Sequence, residues 1–81
     1  MYIVVDLRYC TSEQKHKACK AFSIAFNTSV MIGYSGIEYV RSIVYNPDTD
    51  TYALCKCWVP CGRPKDFITY TAKTFINLGS L

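Results

Sequence analysis

The sequence predicts a small α+β fold: one sheet of three strands, with a short fourth as a variant, and two helices on one face, in the order β-α-β-β-α. Three observations carry this expectation. "YIVVDLRY" opens the chain with β-branched and aromatic residues. "TSEQKHKACKAFSIAF" follows, with apolar residues at helical spacing behind a capping signal. Further on, "IEYVRSIVY" and "TYALCKCWV" are two β-rich runs separated by "NPDTD", whose Asn, Pro and Asp supply turn chemistry.

Each element follows from its own residues. Residues 2–9 alternate Ile3, Val5, Leu7 and Tyr9 on one face with Tyr2, Val4, Asp6 and Arg8 on the other. Residues 11–26 form a helix. Thr11 and Gln14 have capping-box spacing, Ala18, Cys19, Phe22, Ala25 and Phe26 make one apolar stripe, and Asn27 stops it. Residues 28–36 carry Gly33 and Gly36 and read as the short extra strand or a packed loop. Residues 37–45 and 51–59 pair as a hairpin. Residues 64–78 read as the second helix: Pro64 suits its first position, Gly79 its end, and Phe67, Ile68, Ala72, Phe75 and Ile76 its stripe. The Thr, Ile, Tyr and Phe content of this last segment is nevertheless that of a strand. The order of elements resembles a ferredoxin-like split βαβ lacking its final strand.

Eighty-one residues predict a single domain, 1–81, with no room for a second lobe or a cofactor fold. Hydrophobic residues at 51% and charged residues at 19% exclude a disordered composition. Net charge is +3, which permits an acidic partner without demanding one. "MYIVVDL" lacks the basic start of a signal peptide, and no run approaches the ~20 apolar residues of a membrane span. Five cysteines without a paired spacing are then expected as reduced thiols in a cytoplasm, the host's if the chain is phage-encoded.

Two helices cover one side of a thin sheet, so the other side is the place to look for a contact surface. A five-residue connection, 46–50, would turn Ile37, Tyr39, Ile43, Ala53, Cys55, Cys57 and Val59 toward the helices. Arg41 is the odd member of that set and must reach an edge or sit at a bulge. The open side would then show Tyr2, Val4, Arg8, Val40, Val44, Tyr52, Leu54, Lys56 and Trp58, too apolar and aromatic a surface to be idle. The expected partner-binding residues are Tyr2, Arg8, Val40, Tyr52, Leu54, Lys56 and Trp58, flanked by Arg63 and Lys65. The alternative is that residues 28–36 or the C-terminus fold over this side and make it a second core layer.

"ALCKCWVPCGRPK" concentrates thiols. Cys55, Cys57 and Cys61, completed by His16, Cys10 or Cys19, could ligate zinc, but the paired CxxC knuckles of structural sites are absent. "CWVPCGR" resembles the Cys-x5-Arg loop of protein tyrosine phosphatases and arsenate reductases. That resemblance implies Cys57 as nucleophile, Arg63 as phosphate clamp and Asp66, Asp48 or Asp50 as general acid. Lys56, Pro60 and Pro64 depart from that pattern: a histidine commonly precedes the cysteine, Pro60 removes a cradle amide, and a Ser or Thr commonly follows the arginine. The expectation is therefore packing cysteines, no metal, no cofactor and no enzyme. His16 is the only histidine and reads as solvent-facing.

The function expected is a non-enzymatic protein-binding domain. It would be an inhibitor, adaptor or antagonist, in the manner of small phage or mobile-element accessory proteins, with a homodimer through the same sheet as a variant. The alternative is single-stranded nucleic-acid binding. "MYIVVDL" resembles the first-strand motif of RNA-recognition domains, which implies bases stacked on sheet aromatics, and Lys15, Lys17 and Lys20 could then contact phosphates.

Overall fold

The computed structural model describes residues 1–28, 36–58 and 65–79. Strand β1 is Tyr2–Asp6, helix α1 Ser12–Ala25, strand β2 Ser42–Asn46, strand β3 Thr51–Cys55, strand β4 Phe67–Thr71 and helix α2 Ala72–Gly79, with one 3-10 turn at Ile37–Tyr39. The strands lie in the order β3-β2-β1-β4. The β1–β2 and β2–β3 pairs are antiparallel and β1–β4 is parallel. The fold is the expected small α+β class, with a four-stranded mixed sheet and two helices. In the split βαβ that the sequence resembles, a strand would separate β1 from β2; here the two are neighbours.

The fourth strand comes from residues predicted to be helical. Phe67–Thr71 is a run of aromatic and β-branched residues that prefers the extended chain, and it lies along β1. Its approach is fixed where the Tyr2 amide donates to the Asp66 carbonyl at 3.0 Å. Thr71 then ends the strand, and its Oγ1 accepts from the Thr74 amide at 3.4 Å in the first turn of α2. Helical geometry covers only Ala72, Phe75 and Ile76 of the predicted stripe. The segment 29–35, read as a strand or a cover, lies outside the described residues.

Helix α1 starts where its cap requires. The Thr11 Oγ1 accepts from the Gln14 amide at 3.2 Å and the Gln14 Oε1 from the Thr11 amide at 2.9 Å. Its inner residues Ala18, Cys19, Ala21 and Phe22 join Ile3, Val5 and Leu7, Ile43 and Tyr45, and Ala72 and Phe75 of α2 in one core. Phe22 is the aromatic hub: its ring lies 5.4 Å from Tyr45, edge-on, and 5.9 Å from Phe75.

The hairpin closes one residue tighter than predicted, and this moves a whole face. Asn46 pairs with Thr51, leaving residues 47–50 as the connection, so Ile43 opposes Leu54 and Tyr45 opposes Tyr52. Tyr52 and Leu54 therefore point to the helix side, where they flank the core, and not to the open side. The turn explains the count. The Asn46 Oδ1 accepts from the Asp48 amide at 3.0 Å, Asp50 adopts a left-handed φ of 53°, and the Tyr45 hydroxyl donates to Asp50 Oδ1 at 2.6 Å. Val40 is corrected as well. Residues 37–39 form a 3-10 turn instead of strand, so Ile37 and Val40 turn inward together at i, i+3 spacing and both are buried.

The side of the sheet away from the helices is not bare. Val4 is fully buried there, Val44 is 7% exposed, and Ser42 is buried with its Oγ donating to the Cys57 carbonyl at 2.6 Å. The alternative that residues 28–36 or the C-terminus fold over this side falls on residues that lie mostly outside those described. Tyr2 remains exposed beside Phe67 at the far end.

Candidate functional site

Asp6, Ser42 and Cys55 lie in register across β1, β2 and β3, and the chain segments that leave this end of the sheet gather there. Arg8 follows β1 and folds back on Asp6. Its amide and its Nε both donate to Asp6 Oδ1, at 2.9 and 3.1 Å, and its Nη2 donates to Oδ2 at 2.9 Å. These hydrogen bonds hold the Asp6 carboxyl below the usual carboxylate range and push the Arg8 guanidinium further up. The same guanidinium lies over the Trp58 ring, 4.4 Å from its centroid, and 5.8 Å from that of Tyr9. Arg8 is thus fixed in its plane by a carboxylate and on its face by an indole.

Tyr9 turns the chain from β1 toward α1. It takes a left-handed φ of 64°, an uncommon state for a residue with a Cβ, and the residue is 97% exposed. Cys10 is half-buried, and burial is the main cause that pushes its thiol up. Arg41 lies between the 3-10 turn and β2, immediately before Ser42. Its amide donates to the Cys55 carbonyl at 2.7 Å and its carbonyl accepts from the Leu7 amide at 2.9 Å. Its side chain reaches outward, as its odd position in the strand pattern demanded, and its Nη1 donates to the Glu38 carbonyl at 2.9 Å. Arg8, Tyr9, Cys10 and Arg41 line an open cavity of about 470 Å³.

Beneath this rim, Lys15 is 3% exposed and donates its Nζ to the carbonyls of Ile37 and Glu38 at 3.3 and 3.1 Å. Burial, and then the charge of Arg41, push its pKa down. Lys15 is therefore a clamp on the 3-10 turn and not part of a surface strip with Lys17 and Lys20. Lys17 pairs with Glu13 at 3.3 Å.

Of the residues expected to bind a partner, the structure brings together Arg8 and Trp58. Lys56 and Lys65 are exposed, Tyr2 is exposed at the opposite end of β1, and Tyr52, Leu54 and Val40 belong to the helix side. Arg63 lies outside the described residues. Sequence reasoning missed Tyr9, which strand alternation placed inward beside Leu7. The available signal was the cap at Thr11, since a chain that must enter a helix there has to leave the strand before Tyr9.

The cysteine-rich stretch divides. Cys55 points away from the helices, against the inward expectation, because the tighter hairpin shifts its face. Cys57 is exposed, and its carbonyl is held by Ser42. Cys61 and Arg63, and with them the body of the Cys-x5-Arg loop, lie outside the described residues. Among the described residues, Cys10, Cys19 and Cys57 are free thiols, and no three His, Cys, Asp or Glu side chains gather as a metal site. No helix among the described residues is long and apolar enough to cross a membrane. No family model, no curated protein and no solved structure matches the chain.

Proposed function

We propose that this chain is a non-enzymatic protein-binding domain that acts by occupying a partner's surface, as an inhibitor, adaptor or antagonist. Its contact surface is the end of the sheet where Arg8, Tyr9, Trp58 and Arg41 gather, with Lys56 nearby in sequence. The observation that supports this reading is a fully exposed aromatic, Tyr9, beside an arginine already immobilised between Asp6 and Trp58. Interfaces draw most of their energy from aromatic and arginine anchors, and a side chain ordered in advance loses little entropy on binding. The surplus positive charge steers toward an acidic partner. The free thiols suit a reducing compartment such as the cytoplasm, and phage-type accessory proteins are the analogy of size. A second copy of the chain could be the partner.

The test is affinity capture from the native cell with the wild type, Tyr9→Ala and Trp58→Ala, each checked for fold by circular dichroism. The expected result is a discrete protein lost from both variants while the fold persists. Capture unchanged in both variants would overturn the reading. A parallel titration with generic single-stranded RNA and DNA addresses nucleic-acid binding: affinity that falls steeply with salt would replace the protein reading with that one.

A further inference from the structure

The cavity between Arg8 and Arg41 has the donors of an oxyanion site. Arg8 commits its Nε and Nη2 to Asp6, and Arg41 commits its Nη1 to the Glu38 carbonyl. Among the described residues, Nη1 of Arg8 and Nε and Nη2 of Arg41 have no hydrogen-bond partner, and no carboxylate lies within ion-pair distance of Arg41. Both arginines stand on fixed backbone: Arg8 through its bond to Asp6, Arg41 through its bonds to Leu7 and Cys55. The charged groups around the cavity are Arg8, Arg41 and Lys15 against Asp6 and Glu38, an excess of one positive charge. The cap at Thr11 places the positive end of α1 next to Cys10 on the same rim.

We propose that this cavity binds a phosphate monoester group, and that the partner presents it. The second half rests on the protein-contact reading above. With five N–H groups on each guanidinium, the two that Arg8 commits and the one that Arg41 commits leave three and four, enough for the three terminal oxygens of a monoester to accept from both side chains. A planar carboxylate would use one arginine fork and leave the other, and a phosphodiester offers only two terminal oxygens. An aromatic stem on the phosphate would lie against the exposed Tyr9 ring.

The test is a titration of the isotope-labelled chain with inorganic phosphate at constant ionic strength, followed by the amide resonances of Tyr9, Cys10 and Arg41 and the arginine Nε–H signals. The expected result is saturable shifts confined to these groups, with affinity weakened by about tenfold or more in Arg41→Gln and unchanged in Lys17→Gln. Arg41 is exposed, so the unchanged remainder of the spectrum reports an intact fold. Shifts that rise linearly without saturation, or that are equal in Arg41→Gln, would mean general screening and overturn the site. Dimethyl phosphate binding as tightly as inorganic phosphate would overturn the three-oxygen assignment. Phenyl phosphate and a phosphoserine peptide then separate a free small ligand from a group carried on a chain. If phosphate binds nowhere while Trp58→Ala still loses its captured protein, this inference fails and the contact reading stands; if phosphate binds and no capture changes, the contact reading and the partner-presented half fail together and the phosphate site stands.

Discussion

Arg8 owes its position to two neighbours of different chemistry, and each can be removed separately. Asp6 holds the guanidinium edge by charge-assisted hydrogen bonds, and Trp58 covers its face. The carboxyl of Asp6 has a folded pKa below its unfolded value. Its contribution to stability is therefore fully present above the ordinary carboxylate range and is lost as pH falls through the folded value. Trp58 is the single tryptophan, so its fluorescence reports this locally. We expect an acid transition in Trp58 emission, below the ordinary aspartate range, that is absent in Asp6→Asn; an identical transition in both would detach Arg8 from Asp6. The thiols differ in the same physical way. Burial pushes Cys19 up to about 11, whereas Cys57 is exposed. Iodoacetamide at neutral pH should label Cys57 in the folded chain and Cys19 only after denaturation, as peptide mapping would show. Arg8 and Trp58 were legible in the sequence because a charge and an indole stand out against β-rich runs. Tyr9 was not, because alternation extends a strand past its end unless the following cap is given priority.

At the level of elements, the chain's local signals were sound and its arithmetic was delicate. The capping box named the start of α1, and the apolar stripe named Ala18, Cys19 and Phe22 on its buried side, whereas Ala25 is exposed and Ala21 and Lys15 are buried instead. The hairpin depended on whether its connection holds four or five residues, and one residue turns every side chain of β3 over. The deciding contacts, Asp50 in its left-handed state and its bond to Tyr45, join residues of opposite strands' ends and are invisible to a count of turn-formers. This register has a direct check. Leu54→Ala should cost about 1–2 kcal/mol by urea denaturation, since Leu54 is half-buried against the core, and Ala53→Ser should stay within about 0.5 kcal/mol. The reverse order of effects would restore the five-residue turn. The last segment failed differently. Apolar residues from Phe67 to Ile76 satisfy a helical period, yet the first half pairs with β1 because β-branched and aromatic residues gain more on the sheet edge, and Thr71 divides the two states.

Across the whole molecule, one aromatic cluster ties the helices to the sheet. Phe22 is fully buried and touches Tyr45 of β2, Phe75 of α2 and its own neighbour Phe26. Phe22→Ala should cost about 3–5 kcal/mol, a large share of the roughly 4–12 kcal/mol available to a chain of this length, and thermal unfolding would record it. With the core on one side and Val4 and Val44 buried on the other, neither broad side of the sheet is the natural meeting place. The end of the sheet is, where Tyr9 projects and two arginines stand on fixed backbone. A photoreactive amino acid placed at Tyr9, and separately at the exposed Lys20 of α1, tests this most directly in the native cell. We expect one discrete protein adduct from position 9, absent when Trp58 is changed to Ala, and none from position 20. Adducts from position 20 alone, or from neither position, would contradict the assignment of the contact surface to the Arg8–Trp58 end.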